Sequence, residues 1–268
     1  MPVPEGKLRL GGMALRNGLL VHGPTHWAAA IRDDDGAIAV ASGRKPRVRG
    51  RAQRLPGVRG VVRLGEAVAV IPLVKRALPE ARLPFERPAV VGAMLVTGIA
   101  VRALRDSKRL GPLTRELLAG ALSLAPAALA LRGSSLAAYH GAEHISIGTY
   151  EHGEPRAREH ERCGSHMLGP LVASSAVGGA LASRAPARLR TPARVTAQLG
   201  AVAASTEIFA WMARNPEHPL SRALAKPGHE LQHRLATAEP TPEQLKVAEA
   251  ALAACLELER TADGADHN

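Results

Sequence analysis

Residues 138–154, AYHGAEHISIGTYEHGE, concentrate side chains that can bind metals and move protons. The stretch contains His140, Glu143 and His144 in the order H-x-x-E-H. If the segment is helical, the two histidines lie four residues apart on one face and can reach one cation. Glu143 then lies close enough to a water on that cation to act as a general base. The order is the inverted one found among zinc metalloproteases.

The flanking residues predict such a helix. Ser134 or Ser135 can cap its start, and Gly148 can end it after Ile147. Gly141 lies inside the predicted helix, where glycine costs about 1 kcal/mol relative to alanine. A glycine at this position either admits the close approach of another backbone segment or marks a distorted turn.

The spacing predicts a bound divalent transition metal, with zinc favoured because it binds imidazole and keeps an open position when three side chains hold it. The third ligand must come from outside the helix. Glu207 is the first candidate, because it is a lone acid in the apolar segment STEIFAWMARN and an unpaired buried carboxylate is costly. The alternative for Glu207 is an ion pair with Arg214 or a solvent-facing turn.

Three further residues are candidates near the helix. Glu151 and His160 are local alternatives for the third ligand, both in a polar stretch of the chain. Cys163, in HERCGSH, is a zinc ligand, a nucleophile activated by a histidine, or a small buried hydrophobic residue. In the leading prediction all three orient the ligand histidines through hydrogen bonds.

The composition restricts the class of protein. The 268 residues carry a formal net charge of +11, and 2% of them are aromatic. A basic chain can bind nucleic acid or an anionic membrane surface. The shortage of aromatic side chains argues against base stacking, so nucleic acid is not an expected partner. Cys163 and Cys255 form no disulfide framework and predict a reducing compartment.

The chain is predicted to divide into a small β region (1–43), a basic connector with a helix (44–87) and a helical domain that carries the site (88–268). Asp35-Gly36 is a favoured hairpin pair between two apolar stretches. Residues 44–63 contain no acid, and this density of positive charge predicts docking on anionic lipid or on a partner. The basic residues of this segment are Arg44, Lys45, Arg47, Arg49, Arg51, Arg54, Arg59 and Arg63.

Four apolar segments alternate with basic residues in the helical part, at 88–101, 117–131, 167–183 and 195–213. They fall short of the about 20 residues that span a bilayer, and Pro126 and Pro170 interrupt them. If all four segments crossed the membrane, alternate loops would face opposite sides, yet every loop carries basic residues, so the positive-inside rule gives no orientation. The predicted location is the cytoplasmic membrane, integral or peripheral, with a soluble cytoplasmic protein as the alternative.

The predicted fold is therefore a mainly α-helical bundle with short or membrane-interfacial apolar helices, preceded by a small β-structure. Its last helix begins at a capping box, Thr241-Pro242-Glu243-Gln244, with proline at the first helical position. The apolar residues that follow repeat at helical spacing, which places Cys255 toward the core.

These motifs resemble those of the DUF1385 family, also called YqhQ-like proteins, over nearly the whole chain. The family stretch YHGAEHKTIxxYE is matched by residues 139–144 and 150–151, HPRCGTSF by residues 160 and 162–164, and SYE by residues 205–207. In the amino-terminal motif, GGQAVIEGVMMRGP, Asn17 replaces an acid and His22 replaces an arginine. The resemblance implies a metal-dependent, usually membrane-embedded protein in which Glu207 takes part.

The leading prediction is a metal-dependent hydrolase at or in the membrane. His140, His144 and Glu207 would bind zinc, and Glu143 would activate the bound water. The alternative is a non-catalytic, metal-stabilised helical scaffold that docks a membrane or protein partner through residues 44–63. A closed site with a fourth ligand such as His160 would favour the scaffold, because no position for a substrate would remain. The sequence does not indicate a substrate class under either prediction.

Overall fold

The computed structural model describes residues 6–48, 50–51 and 55–265 of the chain. It begins with four strands, β1 (Gly11–Leu15), β2 (Gly18–His22), β3 (His26–Arg32) and β4 (Ile38–Arg44), which form one antiparallel sheet in that order. Gly36, with a φ of +85°, lies in the connection between β3 and β4, as the Asp35-Gly36 pair predicts. Arg49 and Arg54 of the basic segment lie outside the described residues.

Helices account for most of the remaining described chain, which confirms the predicted mainly α-helical fold with a small amino-terminal β-structure. They are α1 (Arg59–Val68), α2 (Ile71–Ala77), α3 (Pro88–Asp106), α4 (Pro112–Leu122), α5 (Ala125–Leu131), α6 (Ser135–His152), α7 (Leu168–Ala182), α8 (Arg190–Arg214), α9 (Pro219–Leu231) and α10 (Pro242–Ala265). A short 3-10 turn, Gly164–Met167, leads into α7, and a π-helical turn, Gln232–Ala236, follows α9.

Both faces of the sheet are covered. Successive residues of a strand point to opposite sides, so the strands contribute to two cores. On one face, Leu19 and Val21 pack in a core with Tyr139 of α6 and Val247 of α10. On the other face the neighbouring strand residues form a second core with α2 and the segment after it. That core is lined by Leu15, Leu20, Trp27, Ala29, Ile31, Val70, Val74, Leu78, Ala81 and Leu83. The sheet therefore shares one of its cores with the helices that carry the predicted site.

Two apolar hairpins, α3 with α4–α5 and α7 with α8, pack side by side. Gly179 of α7 lies against the Glu116 side chain near the start of α4, and Gly120 further along α4 lies against Val172 near the start of α7. Helices α4 and α7 therefore run antiparallel, and Gly178 of α7 packs against Ala197 of α8. The hairpin loops 107–111 and 183–189 consequently lie at the same end of the helical layer.

The first hairpin exposes much apolar surface. Residues 88–106 and 112–131 are long and apolar enough to cross a membrane by length and composition, and only 11% and 22% of an 18-residue apolar window in each are buried. Leu95 and Ile99 of α3 are 66% and 71% exposed. Pro126 does interrupt its segment, since α4 and α5 are separate helices. Pro170 does not, because the first turn of α7 accommodates a residue that lacks an amide hydrogen.

Two helix termini can be compared with the sequence motifs. The capping box of α10 is confirmed: the Thr241 amide donates to Gln244 Oε1 at 2.9 Å, and the Gln244 amide donates to Thr241 Oγ1 at 3.3 Å. The predicted end of α6 at Gly148 is wrong. The helix continues to His152 and ends at Gly153, whose φ of +76° closes it in the left-handed region.

Candidate metal centre

Two histidines of α6 and a cysteine from the loop before α7 converge on one point. A ring nitrogen of His140, a ring nitrogen of His144 and Sγ of Cys163 lie within 4.8 Å of one another. The two imidazole centroids are 4.3 Å apart, with the ring planes inclined at 59°. One helical turn separates the histidines, so α6 brings them together as the H-x-x-E-H spacing predicts. The loop supplies the cysteine.

Hydrogen bonds of the two histidines determine which nitrogen is free to bind a metal. His140 Nδ1 is 2.9 Å from the carbonyl oxygen of Ala236, and His144 Nδ1 is 2.6 Å from that of Arg158. A carbonyl oxygen only accepts, so each Nδ1 donates and each Nε2 keeps its lone pair. Metal-binding histidines use this arrangement. Burial lowers the pKa of His144, which favours the neutral form that binds metals.

The sulfur of Cys163 lies at a suitable distance to share a cation. Its Sγ is 3.6 Å from His140 Nε2. A tetrahedral ion that bonds nitrogen at about 2.05 Å and sulfur at about 2.3 Å would hold these two atoms about 3.6 Å apart. The amide of Ser165 points at the sulfur from 3.5 Å and helps to orient it. The His-His-Cys group can therefore hold a metal ion.

Glu143 lines the same cavity, of about 500 Å³, as the three candidate ligands. The side chain is 7% exposed, and its Oε2 has no hydrogen-bond partner among the described residues. Gly12 of β1 makes room for it, because a Cβ at that position would lie 2.5 Å from Glu143 Oε1. Burial raises the pKa of Glu143 to about 7, and the nearby His140 opposes this shift. The carboxyl group is thus a candidate for proton transfer in the cavity.

Glu151 and His160 support the loop that carries Cys163. Glu151 is 1% exposed and forms an ion pair with Arg162. Its other oxygen is 3.3 Å from His160 Nε2, while His160 Nδ1 accepts from the Arg162 amide at 3.3 Å. The side chain of Gln232 accepts from the backbone amide of His160 at 2.8 Å. Both ring nitrogens of His160 are therefore engaged in contacts that support this loop, whereas the two candidate ligand histidines donate from Nδ1 to backbone carbonyls.

The structure places Glu207 with another partner. Its Oε1 accepts hydrogen bonds from Arg59 Nε at 2.9 Å and from the Gly57 amide at 3.0 Å. The hydrogen bond from Arg59 is also the main cause of the lowered pKa of Glu207. Beside this pair, Gly60 of α1 packs against Thr206 of α8. Glu207 is not in the His-His-Cys group, and its partner is Arg59 instead of the expected alternative, Arg214.

Gly141 admits the chain segment that orients His140. A Cβ on Gly141 would lie 2.2 Å from the carbonyl oxygen of Ala238. The Ala238 amide also donates to the Ala137 carbonyl at 2.9 Å, which ties the segment to α6. Of the two alternatives for this glycine, the structure therefore supports the close backbone approach. The sequence pattern did not identify the carbonyls of Ala236 and Arg158 or the role of Gly12.

Replacing Gly141 with alanine is expected to push residues 236–238 away from α6. We expect a loss of stability of about 1–3 kcal/mol from overpacking. We also expect zinc affinity to fall about 10- to 100-fold, because the hydrogen bond to His140 is disturbed. Denaturant titration and competition with a chromophoric chelator measure the two effects. Gly200→Ala in α8, where nothing lies within 4 Å of an added Cβ, is the matched control. Equal zinc affinity in both variants would contradict the assigned role.

The family model of DUF1385, described as a protein of unknown function, matches residues 134–258. This confirms the predicted family over a stretch that begins just before α6 and contains all three members of the His-His-Cys group. No curated protein and no solved structure matches the chain.

Proposed function

For a chain whose residues 134–258 belong to the DUF1385 family, we propose a zinc-dependent hydrolase. Its ligands are His140, His144 and Cys163, with Cys163 in the place first predicted for Glu207, and its general base is Glu143. One observation carries the proposal: both histidines donate from Nδ1 to backbone carbonyls, His140 Nε2 lies 3.6 Å from Cys163 Sγ, and a ring nitrogen of each histidine lies within 4.8 Å of that sulfur. This orientation favours a bound cation over hydrogen bonds among the three side chains, because each Nε2 offers a lone pair and no hydrogen.

The hydrolase is preferred to the closed scaffold because a fourth protein ligand is lacking among the described residues. His160 uses both ring nitrogens elsewhere, and Glu207 pairs with Arg59. Three protein ligands with an open position are typical of catalytic zinc sites. Zinc bound there would supply a Lewis acid and lower the pKa of a coordinated water toward about 7. Glu143 would take the proton of the attacking water and pass it to the leaving group.

We place this enzyme at the cytoplasmic membrane, attached through the two apolar hairpins. The 19 residues of α3 measure about 28 Å, close to the about 30 Å hydrocarbon thickness of a bilayer. Loops 107–111 and 183–189 lie at one end of the helical layer, and basic residues flank both of them. Such side chains can extend to anionic headgroups while the apolar faces contact lipid. The exposed ones are Arg102, Lys108, Arg109, Arg184, Arg188 and Arg190.

Metal content and metal-dependent turnover test the proposal together. Protein purified without chelator or polyhistidine tag is expected to carry about one equivalent of zinc by mass spectrometry. Hydrolysis of p-nitrophenyl acetate should disappear after chelator dialysis and return with zinc, but not with magnesium. Folded protein that takes up no transition metal would overturn the metal site. Stoichiometric zinc without hydrolysis of ester or amide probes would favour the scaffold.

A further inference from the structure

We propose that the cavity beside the His-His-Cys group takes the hydrocarbon chain of a long-chain carboxylic ester or amide that enters from the bilayer. This substrate class rests on the proposed hydrolase function. The volume of about 500 Å³ is within the usual range of ligand pockets, about 300–1,000 Å³. The candidate ligands and Glu143 form one side of the cavity. The rest of its wall is largely apolar and includes Leu10, Met13, Ala127, Ala130, Leu131 and Leu136.

Helix α5 connects this cavity to the proposed membrane face. Ala130 is buried in the cavity wall, whereas Ala127 lines the cavity and is also exposed. The cavity therefore opens beside α5. Leu124 and Leu129, at the same helix, are 36% and 40% exposed, so the opening adjoins the apolar surface of the first hairpin. A hydrocarbon chain that leaves the bilayer at this point passes from lipid to the cavity wall without crossing water.

A second apolar element borders the cavity apart from α5. Pro84 lines the cavity, and the next residue, Phe85, is 48% exposed. The ring of Phe85 extends the exposed apolar surface next to the cavity. A water-soluble polar substrate would gain nothing from these surroundings, whereas an amphiphile can bury its chain there.

The charges around the candidate ligands favour a neutral carbonyl head over a phosphate. Among the described residues that line the cavity, the permanent cation is Arg162, and its guanidinium is paired with Glu151. The acid Glu143 lies beside the reacting position and would repel a phosphate in its ionised form. An ester or amide carbonyl carries no charge and needs only polarisation by the metal.

The reaction is a hydrolysis whose atoms balance with water alone. The water oxygen bonds to the carbonyl carbon, and the bond from that carbon to the alcohol oxygen or amine nitrogen breaks. Glu143 takes a proton from the water and returns it to the departing oxygen or nitrogen. The products are the long-chain acid and an alcohol or amine, and no oxidant or reductant is required.

Photo-crosslinking tests the binding of a hydrocarbon chain in the cavity separately from turnover. The protein in phosphatidylcholine vesicles is irradiated with a 12-carbon carboxylic acid that bears a terminal diazirine, and labelled peptides are identified by mass spectrometry. We expect labels within residues 10–14 and 127–136, with or without zinc. Ala127→Trp should remove these labels, and Ala125→Trp, an exposed α5 position outside the cavity lining, should keep them. Labels confined to the exposed face of α3 would overturn the proposal.

The second measurement is the dependence of ester hydrolysis on the length of the acyl chain. The p-nitrophenyl dodecanoate ester should be hydrolysed with a kcat/KM at least about tenfold above that of the acetate, since apolar pocket contacts discriminate on this scale. Ala127→Trp should remove the preference without changing zinc content, whereas Ala125→Trp should keep the preference, the zinc content and acetate hydrolysis. Zinc-dependent acetate hydrolysis without cavity labels would leave the proposed function intact and reject the chain site. Cavity labels in protein that binds no zinc would reject the proposed function and retain chain binding.

Discussion

Alanine at His140, His144 or Cys163 is expected to abolish stoichiometric zinc binding. Each substitution removes one of three donors and leaves two, and we expect zinc affinity to fall more than about 100-fold, beyond the range seen when a supporting residue is changed. The geometry gives the reason: the three donor atoms lie within 4.8 Å of one another, so all three can bind one ion and each contributes to its affinity. Mass spectrometry and competition with a chromophoric chelator measure zinc content and affinity.

Two controls separate ligand loss from general damage. Cys255→Ala removes the other cysteine, which is buried in the core of α10, and should leave zinc content unchanged. Glu207→Ala should also retain zinc, although it disrupts the contact of α1 with α8. Loss of zinc in Glu207→Ala together with its retention in Cys163→Ala would restore the ligand set predicted from the sequence. Circular dichroism establishes that each variant is folded.

Glu143→Gln is expected to retain zinc and to lower kcat by about 10²- to 10⁴-fold. The amide preserves the shape of the side chain but cannot accept the proton of the attacking water, and general-base catalysis contributes about this much. Folding should not suffer, since the buried site already disfavours the ionised carboxylate, as the raised pKa of Glu143 indicates. Zinc content and ester hydrolysis under the same conditions are the required measurements.

Gly12→Ala provides an independent check on this carboxylate. The added Cβ would lie 2.5 Å from Glu143 Oε1 and must displace the side chain, although Gly12 is far from Glu143 in the sequence. We expect reduced turnover with unchanged zinc content. Wild-type turnover in Glu143→Gln would exclude this residue as the base, whereas loss of zinc in that variant would assign it to metal binding.

The features that depend on local spacing could be predicted from the sequence. The two histidines share a face because four residues make about one helical turn, and the capping box of α10 lies within four consecutive residues. The apolar segments likewise form helices, since their composition alone favours burial or lipid contact. Gly148 is not the helix end that its residue type suggests. A Cβ there would lie 3.2 Å from the Arg156 side chain, so this glycine serves close packing inside a longer α6.

The third ligand could not be predicted, because it depends on contacts distant in sequence. The sequence around Glu207 does not reveal its partner, because Arg59 lies 148 residues earlier in the chain. The orientation of the apolar segments could not be predicted for a similar reason. The antiparallel packing of α4 and α7 depends on the contacts of Gly179 with Glu116 and of Gly120 with Val172, which join residues far apart in the sequence.

The carbonyls that orient His140 and His144 belong to the backbone of Ala236 and Arg158, and this has an evolutionary consequence. A carbonyl group is common to all amino acids, so the side chains at these two positions can drift among relatives while the donors stay in register. Purifying selection should instead be strongest at Gly141, where any side chain would block the approaching segment. Relatives that share the proposed metal site should therefore be recognised by an invariant glycine between two histidines, and not by identity at the positions that hold those histidines in place.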